Sequence, residues 1–350
     1  MKGRVVVLGT YRGREAAALV VDGQLQDLLI EAGEAAGYAP SAILRGVLDR
    51  QMKGQGGAFV KLPDGQKGFL RETKGLAPGQ PVIVQVSGFA EPGKALPVTT
   101  RLLFKGHLAI VTPSAPGLNI SRRIREAEDR SRLEALATDG MQGSEFGLIM
   151  RSAAALAGDD EIAGEIARMR ELAEAVSGDL NGGPELLVDA ASPHEGAARD
   201  WSDPAPDEVA EGEEAFARHG VEEMIDAVLS PVVKLPGGAN MAIEPTRALI
   251  AIDVNTGPDT SPAASLKANI AAARDLPRQL RLRGLGGQVT VDFAPMPKRD
   301  RATLDQQLRV AFKGEAAETS LAGWTPLGNF ELQRKRDRLP LATILGKGEP

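Results

Sequence analysis

Cysteine is absent from the 350 residues. That excludes disulfides, thiolate nucleophiles and cysteine-ligated zinc from this chain. Histidine is nearly absent too, since His107, His194 and His219 are the three it has and no two stand as HxxxH. A metal here would therefore be a hard cation on carboxylates, Mg²⁺ or in its place Mn²⁺. No apolar run approaches the roughly 18 residues of a membrane span. The opening Met-Lys-Gly-Arg-Val-Val-Val-Leu-Gly lacks the apolar stretch and cleavage site of a secretory leader. The expectation is a cytoplasmic globular protein of two or three domains.

Aromatic residues make up only 4% of the chain, and the net charge is -6. The charge is unevenly spread: Glu185 to Asp226 is strongly acidic, whereas 267–313 and the stretch from Ser121 to Arg132 are basic. Local patches decide what is attracted, so the total does not argue against RNA.

What the chain does have is concentrated between 248 and 293. Two short β-branched runs, Ala-Leu-Ile-Ala-Ile-Asp-Val-Asn ending at Asn255 and Gln-Val-Thr-Val-Asp-Phe ending at Phe293, read as buried parallel strands. Each carries one aspartate near its C-terminal end, Asp253 and Asp292. Between them, Leu266, Ile270, Ala273, Leu276 and Leu280 recur at spacings of three and four, which predicts a crossover helix ended by Gly284, Gly286 and Gly287. Open α/β sheets bind ligands at such strand ends, so the two carboxylates are expected to share one crevice. Lys267, Arg274, Arg278 and Arg281 fall in one sector of the helix, away from the apolar stripe. A solvated face explains such a row, but beside paired carboxylates an anionic substrate is favoured, and Arg274, Arg278 and Arg281 become its candidate contacts.

Upstream, residues 4–9 and 17–30 predict a strand and a hairpin turning at Asp22-Gly23. Four or five short strands between Ala42 and Thr100 predict a small barrel. Phe59 and Phe69, beside Lys53, Lys61, Lys67 and Lys94, are either core residues or a platform for stacking bases. A helix is expected from an N-cap at Ser121 to about Ala137, and a strand from Glu145 to Arg151. The pair Arg151-Ser152 could hold a phosphate by a guanidinium fork and a hydroxyl. Residues 177–216 predict one strand followed by a largely disordered or loosely packed acidic loop.

The order of these blocks closely resembles the catalytic region of the bacterial ribonuclease E/G family, from about Ala42 to Arg336. The segments that carry the resemblance are Ile120-Ser-Arg-Arg-Ile124, Gly147-Leu-Ile-Met-Arg151, Ala248 to Asn255, and Arg278-Gln-Leu-Arg-Leu-Arg-Gly-Leu-Gly-Gly287 followed by Val291-Asp-Phe293. It implies an α/β (α+β) multidomain fold. The expected parts are an S1 (OB-type) domain at 37–100, a 5′-sensor at 101–182, a DNase I-like catalytic subdomain at 246–350, and a reduced RNase H-like subdomain from 1–36 and 183–245. The implied activity is Mg-dependent cleavage of single-stranded RNA, leaving a 5′-phosphate and a 3′-hydroxyl. Asp253 and Asp292 match magnesium ligands and Asn255 the asparagine that assists them. Phe59, Phe69 and Lys94 match RNA-contacting positions. Arg151, with Ser152 where the family has threonine, and Arg122 match the 5′-phosphate sensor. The family's cysteine-containing zinc link has no counterpart, so assembly through zinc is not expected and other oligomers stay open. Ala271 stands where relatives carry a glutamate and Arg247 replaces an acid, which motivates the alternative of a catalytically inactive RNA-binding member.

Overall fold

The computed structural model describes residues 3–33, 37–51, 56–91 and 93–346. It divides into two compact units, one formed by Met1–Gly33 with Val209–Pro350 and the other by Glu34–Glu208. Among the described residues no helix is long and apolar enough to cross a membrane.

The first unit begins with an antiparallel meander, β1 (Arg4–Tyr11), β2 (Arg14–Val21) and β3 (Gln24–Ile30). Its two-residue turns Arg12-Gly13 and Asp22-Gly23 have positive φ at both positions (52° and 74°, 49° and 76°). Tight hairpins need that geometry to match the strand twist, and glycine accepts it without strain. The first of these turns was not anticipated from the sequence.

In the second unit, β4 (Ile43–Gln51), β5 (Ala58–Lys61), β6 (Lys67–Leu70), β7 (Pro81–Val86) and β8 (Leu96–Thr99) pair in the order β4-β5-β6-β8-β7, and β7 returns to β4. The result is a closed five-stranded, OB-like barrel, filled by Leu44, Leu48, Val60, Leu70, Val84 and Val98. Gly46 permits the closure: a Cβ there would stand 2.5 Å from Val60 Cγ1. A second sheet follows, of β9 (Phe104–Lys105), β10 (Ala109–Thr112), β11 (Leu118–Ile120) and β12 (Gly147–Met150), with β11 and β12 parallel. Helices α1 (Ala127–Gly140) and α2 (Asp159–Gly178) pack on it. Helix α1 starts five residues later than expected, with Glu126 and not Ser121 at its N-cap; the Ser121 hydroxyl instead accepts from Arg123 N. The acidic stretch is also better ordered than composition implied. β13 (Glu185–Val188) pairs with β4, and α3 (Pro193–Asp200) is closed by a reciprocal capping box of Ser192 and Glu195.

The chain re-enters the first unit through β14 (Glu208–Glu211), which pairs with β1, and through α4 (Ala215–Arg218) and α5 (Val221–Leu229), whose Phe216, Val221 and Ile225 join the meander's core. A mixed sheet completes it, in the order β15 (Val232–Lys234), β16 (Asn240–Pro245), β17 (Ile250–Asn255), β18 (Gly287–Asp292), β20 (Phe330–Arg334) and β19 (Thr319–Trp324). β17 and β18 are parallel and joined by α6 (Pro262–Leu282), whose N-cap Ser261 accepts from Ala264 N. With α7 (Arg301–Phe312), α6 covers one face of the sheet through Ile252, Val254, Leu276, Leu280, Val291 and Leu304. A short α8 (Leu341–Ile344) follows.

Candidate functional site

The open face of the mixed sheet carries the two aspartates. Strands alternate sides, so burying Ile250, Ile252 and Val254 of β17 under α6 turns Asp253 and Asn255 the other way, and both are exposed. The same alternation on β18 turns Thr290 and Asp292 outward. The parallel register sets Asp253 directly beside Asp292, one strand spacing away, about 4.8 Å between backbones. Asn255 Nδ2 donates to Asp253 Oδ2 at 2.6 Å, which orients that carboxylate and leaves the amide oxygen as a further oxygen donor. Among the described residues no cation pairs with either aspartate, and no cluster of three or more His, Cys, Asp or Glu forms. Two carboxylates and an amide oxygen suit Mg²⁺, which keeps several waters and takes one or two protein carboxylates.

Asn269 supports this site and was missed by the sequence reading. It lies within the apolar stripe of α6, four residues before Ala273, and is fully buried. Its Nδ2 donates to Ala294 O and its Oδ1 accepts from Ala294 N, both at 2.9 Å, so the backbone two residues past Asp292 is held to the helix. An asparagine inside an otherwise apolar stripe was the available signal, because a buried amide has to be satisfied.

The cationic row of α6 does not remain one open face. Arg274 Nε donates to Gln307 and the side chain is exposed, but Arg278 is forked onto Asp275 and donates to Leu25 O. Arg281 donates to Gln26 O and pairs with the buried Glu315. Arg278 and Arg281 thus tie α6 to β3, and of the three candidates Arg274 keeps the greatest exposure.

In the other unit, Arg151 and Ser152 follow the end of β12, beside Arg122 at the end of the neighbouring parallel strand β11. Arg122 is exposed and Ser152 opens a short 3₁₀ turn to Leu156. Arg151 Nη1 donates to Gly106 O (2.8 Å) and Arg199 O (3.2 Å), and Nη2 to Asp200 Oδ1 (2.8 Å). On the barrel, Phe59 and Phe69 are opposite each other in register, edge to face with centroids 5.9 Å apart. Their neighbours Ala58, Val60 and Leu70 point inward, so the two rings lie on the outer surface, half-buried, and are not barrel core. Lys94 is 66% exposed and pairs with Glu91, and Lys61 is 3.8 Å from Asp49. Lys53 lies outside the described residues.

Residues 104–212 and 203–337 match the sequence model of the Ribonuclease E/G family. The chain belongs to this family. It is similar to Ribonuclease E of Nostoc sp., at 27% identity over 387 aligned positions covering 95% of this chain and 56% of that protein. It is likewise similar to Ribonuclease E of Synechocystis sp., at 28% identity with 96% and 57% covered, and to Ribonuclease G of Escherichia coli K12, at 27% identity with 76% and 62% covered. The chain thus spans between half and two thirds of the length of these ribonuclease E/G relatives. The two family matches contain the Arg151 cluster and the Asp253–Asp292 pair, while the barrel precedes them.

Proposed function

We propose that this protein is a metal-dependent endoribonuclease that cleaves single-stranded RNA, leaving a 5′-phosphate and a 3′-hydroxyl, in cytoplasmic RNA processing or decay. The observation that carries the reading is the in-register pair Asp253 and Asp292, on the open face of a sheet, with Asn255 orienting one of them. Asp253 and Asp292 would hold Mg²⁺, with Mn²⁺ able to substitute. When bound, the ion supplies Lewis-acid stabilisation of charge on the phosphate and lowers the pKa of a water. Asn255 fixes the Asp253 carboxylate, and Asn269 fixes the chain beyond Asp292.

The remaining parts fit RNA. Phe59 and Phe69 on the barrel's outer surface, with the exposed Lys94 between β7 and β8, suit base stacking in an S1 domain. Arg274 suits a backbone phosphate. Arg151, Ser152 and Arg122 suit a 5′-monophosphate. The 5′-sensor, DNase I-like and reduced RNase H-like assignments belong to the same proposal.

The test is cleavage of a fluorescent single-stranded oligoribonucleotide with Mg²⁺ and with EDTA. Activity that survives EDTA, or survives Asp253→Asn, would sink the metal assignment. An RNA-binding member without turnover is the second reading, favoured by the lack of a third carboxylate beside the pair among the described residues. It requires RNA binding with no Mg²⁺-dependent product.

A further inference from the structure

Arg151 meets an acid from its own chain. Helix α3 is an eight-residue carrier fixed at its start by the Ser192–Glu195 capping box, and its last residue is Asp200. Asp200 Oδ1 accepts from Arg151 Nη2 at 2.8 Å, and the same carboxylate takes a fork from Arg199, with Nε to Oδ1 at 3.2 Å and Nη2 to Oδ2 at 2.8 Å. The segment just beyond is tied down on the same side, where Ser202 Oγ is 3.2 Å from His107 Nδ1 and Arg123 is 3.3 Å from Asp203. Asp200 therefore sits on the guanidinium by construction.

The donors of Arg151 can be counted. Of five N–H groups, two on Nη1 go to carbonyls and one on Nη2 goes to Asp200. Nε–H and the second Nη2–H make no hydrogen bond to described residues, which leaves two donors for an incoming anion. Burial pushes the Asp200 carboxyl up, but the hydrogen bonds and charges of Arg199 and Arg151 more than reverse this, so it is ionised. Two arginines and one carboxylate leave a single net positive charge at the site. An arriving phosphate is drawn by Arg151 and Arg199 and repelled by Asp200.

We infer that Asp200 is a specificity-determining residue for the RNA 5′ end, an internal carboxylate that competes with a terminal phosphate for Arg151. The inference rests on reading Arg151 as the 5′-phosphate site. Removing the charge relieves the repulsion, while the two carbonyls still hold Nη1 in place. Asp200 is partly open to water, so the interaction is taken at the low end for two unit charges at contact, corresponding to about fivefold. Arg199 has the opposite role, because without it the carboxylate bears fully on Arg151.

The experiment uses the full chain and two oligoribonucleotides of one sequence, bearing a 5′-phosphate or a 5′-hydroxyl, and reads the ratio of their cleavage rates below saturation. Asp200→Asn keeps an oxygen for Arg151 and removes the charge; the expected ratio rises about fivefold. Arg199→Ala is expected to lower it and Arg151→Ala to bring it to one. Adenosine 5′-monophosphate binding to each variant, followed by titration calorimetry, is expected to change in the same order. A ratio that falls or stays constant in Asp200→Asn, while Arg151→Ala still abolishes the preference, overturns the competitor role and leaves the sensor standing. A ratio of one in the wild type and every variant, without monophosphate binding, overturns the sensor and the competitor together.

Discussion

Two charged regions of the Met1–Gly33 and Val209–Pro350 unit are built in opposite ways. On the open face of the mixed sheet, Asp253 and Asp292 stand side by side in water, and Asp253 has the Asn255 amide as its partner. Toward the far end of α6 most of the charges are largely buried and paired, Arg283 excepted. Glu315 is shared by Arg281 and Arg334, Asp27 by Arg338 and Arg281, and Asp275 is forked by Arg278. Two adjacent carboxylates without a counter-charge repel each other, and a protein gains nothing from that in stability. A matched buried pair is costly to break because the survivor is left desolvated. The first arrangement is suited to chemistry and the second to holding α6 in place.

The comparison is sharpest at its extremes. Asp253→Asn or Asp292→Asn is expected to reduce Mg²⁺-dependent cleavage by at least about 100-fold, since a ligand should matter at least as much as the groups that orient ligands. The same variants should unfold at or above the wild-type urea midpoint, since one of two repelling charges is gone, and a lowered midpoint would break the division. Glu315→Ala should do the converse, costing about 3 kcal/mol in urea unfolding because Arg334, 3% exposed, and Arg281 both lose their acid. Asn269→Ala bridges the two categories. It leaves the Ala294 N–H and C=O without their buried partner, so a loss of about 2 kcal/mol is expected together with slower cleavage. Unchanged cleavage in that variant would detach Asn269 from the site.

A smaller effect concerns pH. Burial raises the Asp27 carboxyl, but Arg338 and Arg281 outweigh burial and hold it below the ordinary carboxylate range. A depressed folded-state pKa gives stability that is fully present above the unfolded value of about 4 and is lost as pH falls through the folded value. Asp27→Asn should therefore flatten the fall in urea midpoint below about pH 4 relative to wild type. The smallest expected change is in Arg274→Ala, whose exposed guanidinium should leave stability unaltered and reduce the salt dependence of RNA binding by about one ion.

Much of the central unit was legible from residues 248–293, because buried strands and an amphipathic helix have different periods and the aspartates interrupt one of them. The barrel strands were legible for a similar reason, with turn residues dividing short apolar runs. What escaped has physical causes. β9 and β11 have two and three residues, too few for any period to register. The stretch after 177 hid its order behind acidic and small residues, although Ser192-Pro-His-Glu195 is a local helix-start signal. Arg278 meets Asp275 at helical spacing, but the Leu25 carbonyl it also reaches lies 253 residues away, and partners of Arg281 and Arg151 lie 255 and 49 away, contacts about which helical spacing carries no information. That Arg278 and Arg281 are committed to β3, whereas Arg274 is open, could only come from three dimensions.

The first unit is discontinuous in sequence, and this has a consequence for synthesis. Strands β1 to β3 leave the ribosome before the rest of this unit, and Phe216, Val221 and Ile225, which cover their apolar face, follow only after the 34–208 segment of about 175 residues. At roughly 5–20 residues per second, Val5, Val7, Ala18 and Val20 wait on the order of 10–35 seconds for their covering helices. The meander must persist through translation as an incomplete fold, and nascent chains stalled within 34–208 are the form in which chaperone dependence should be greatest.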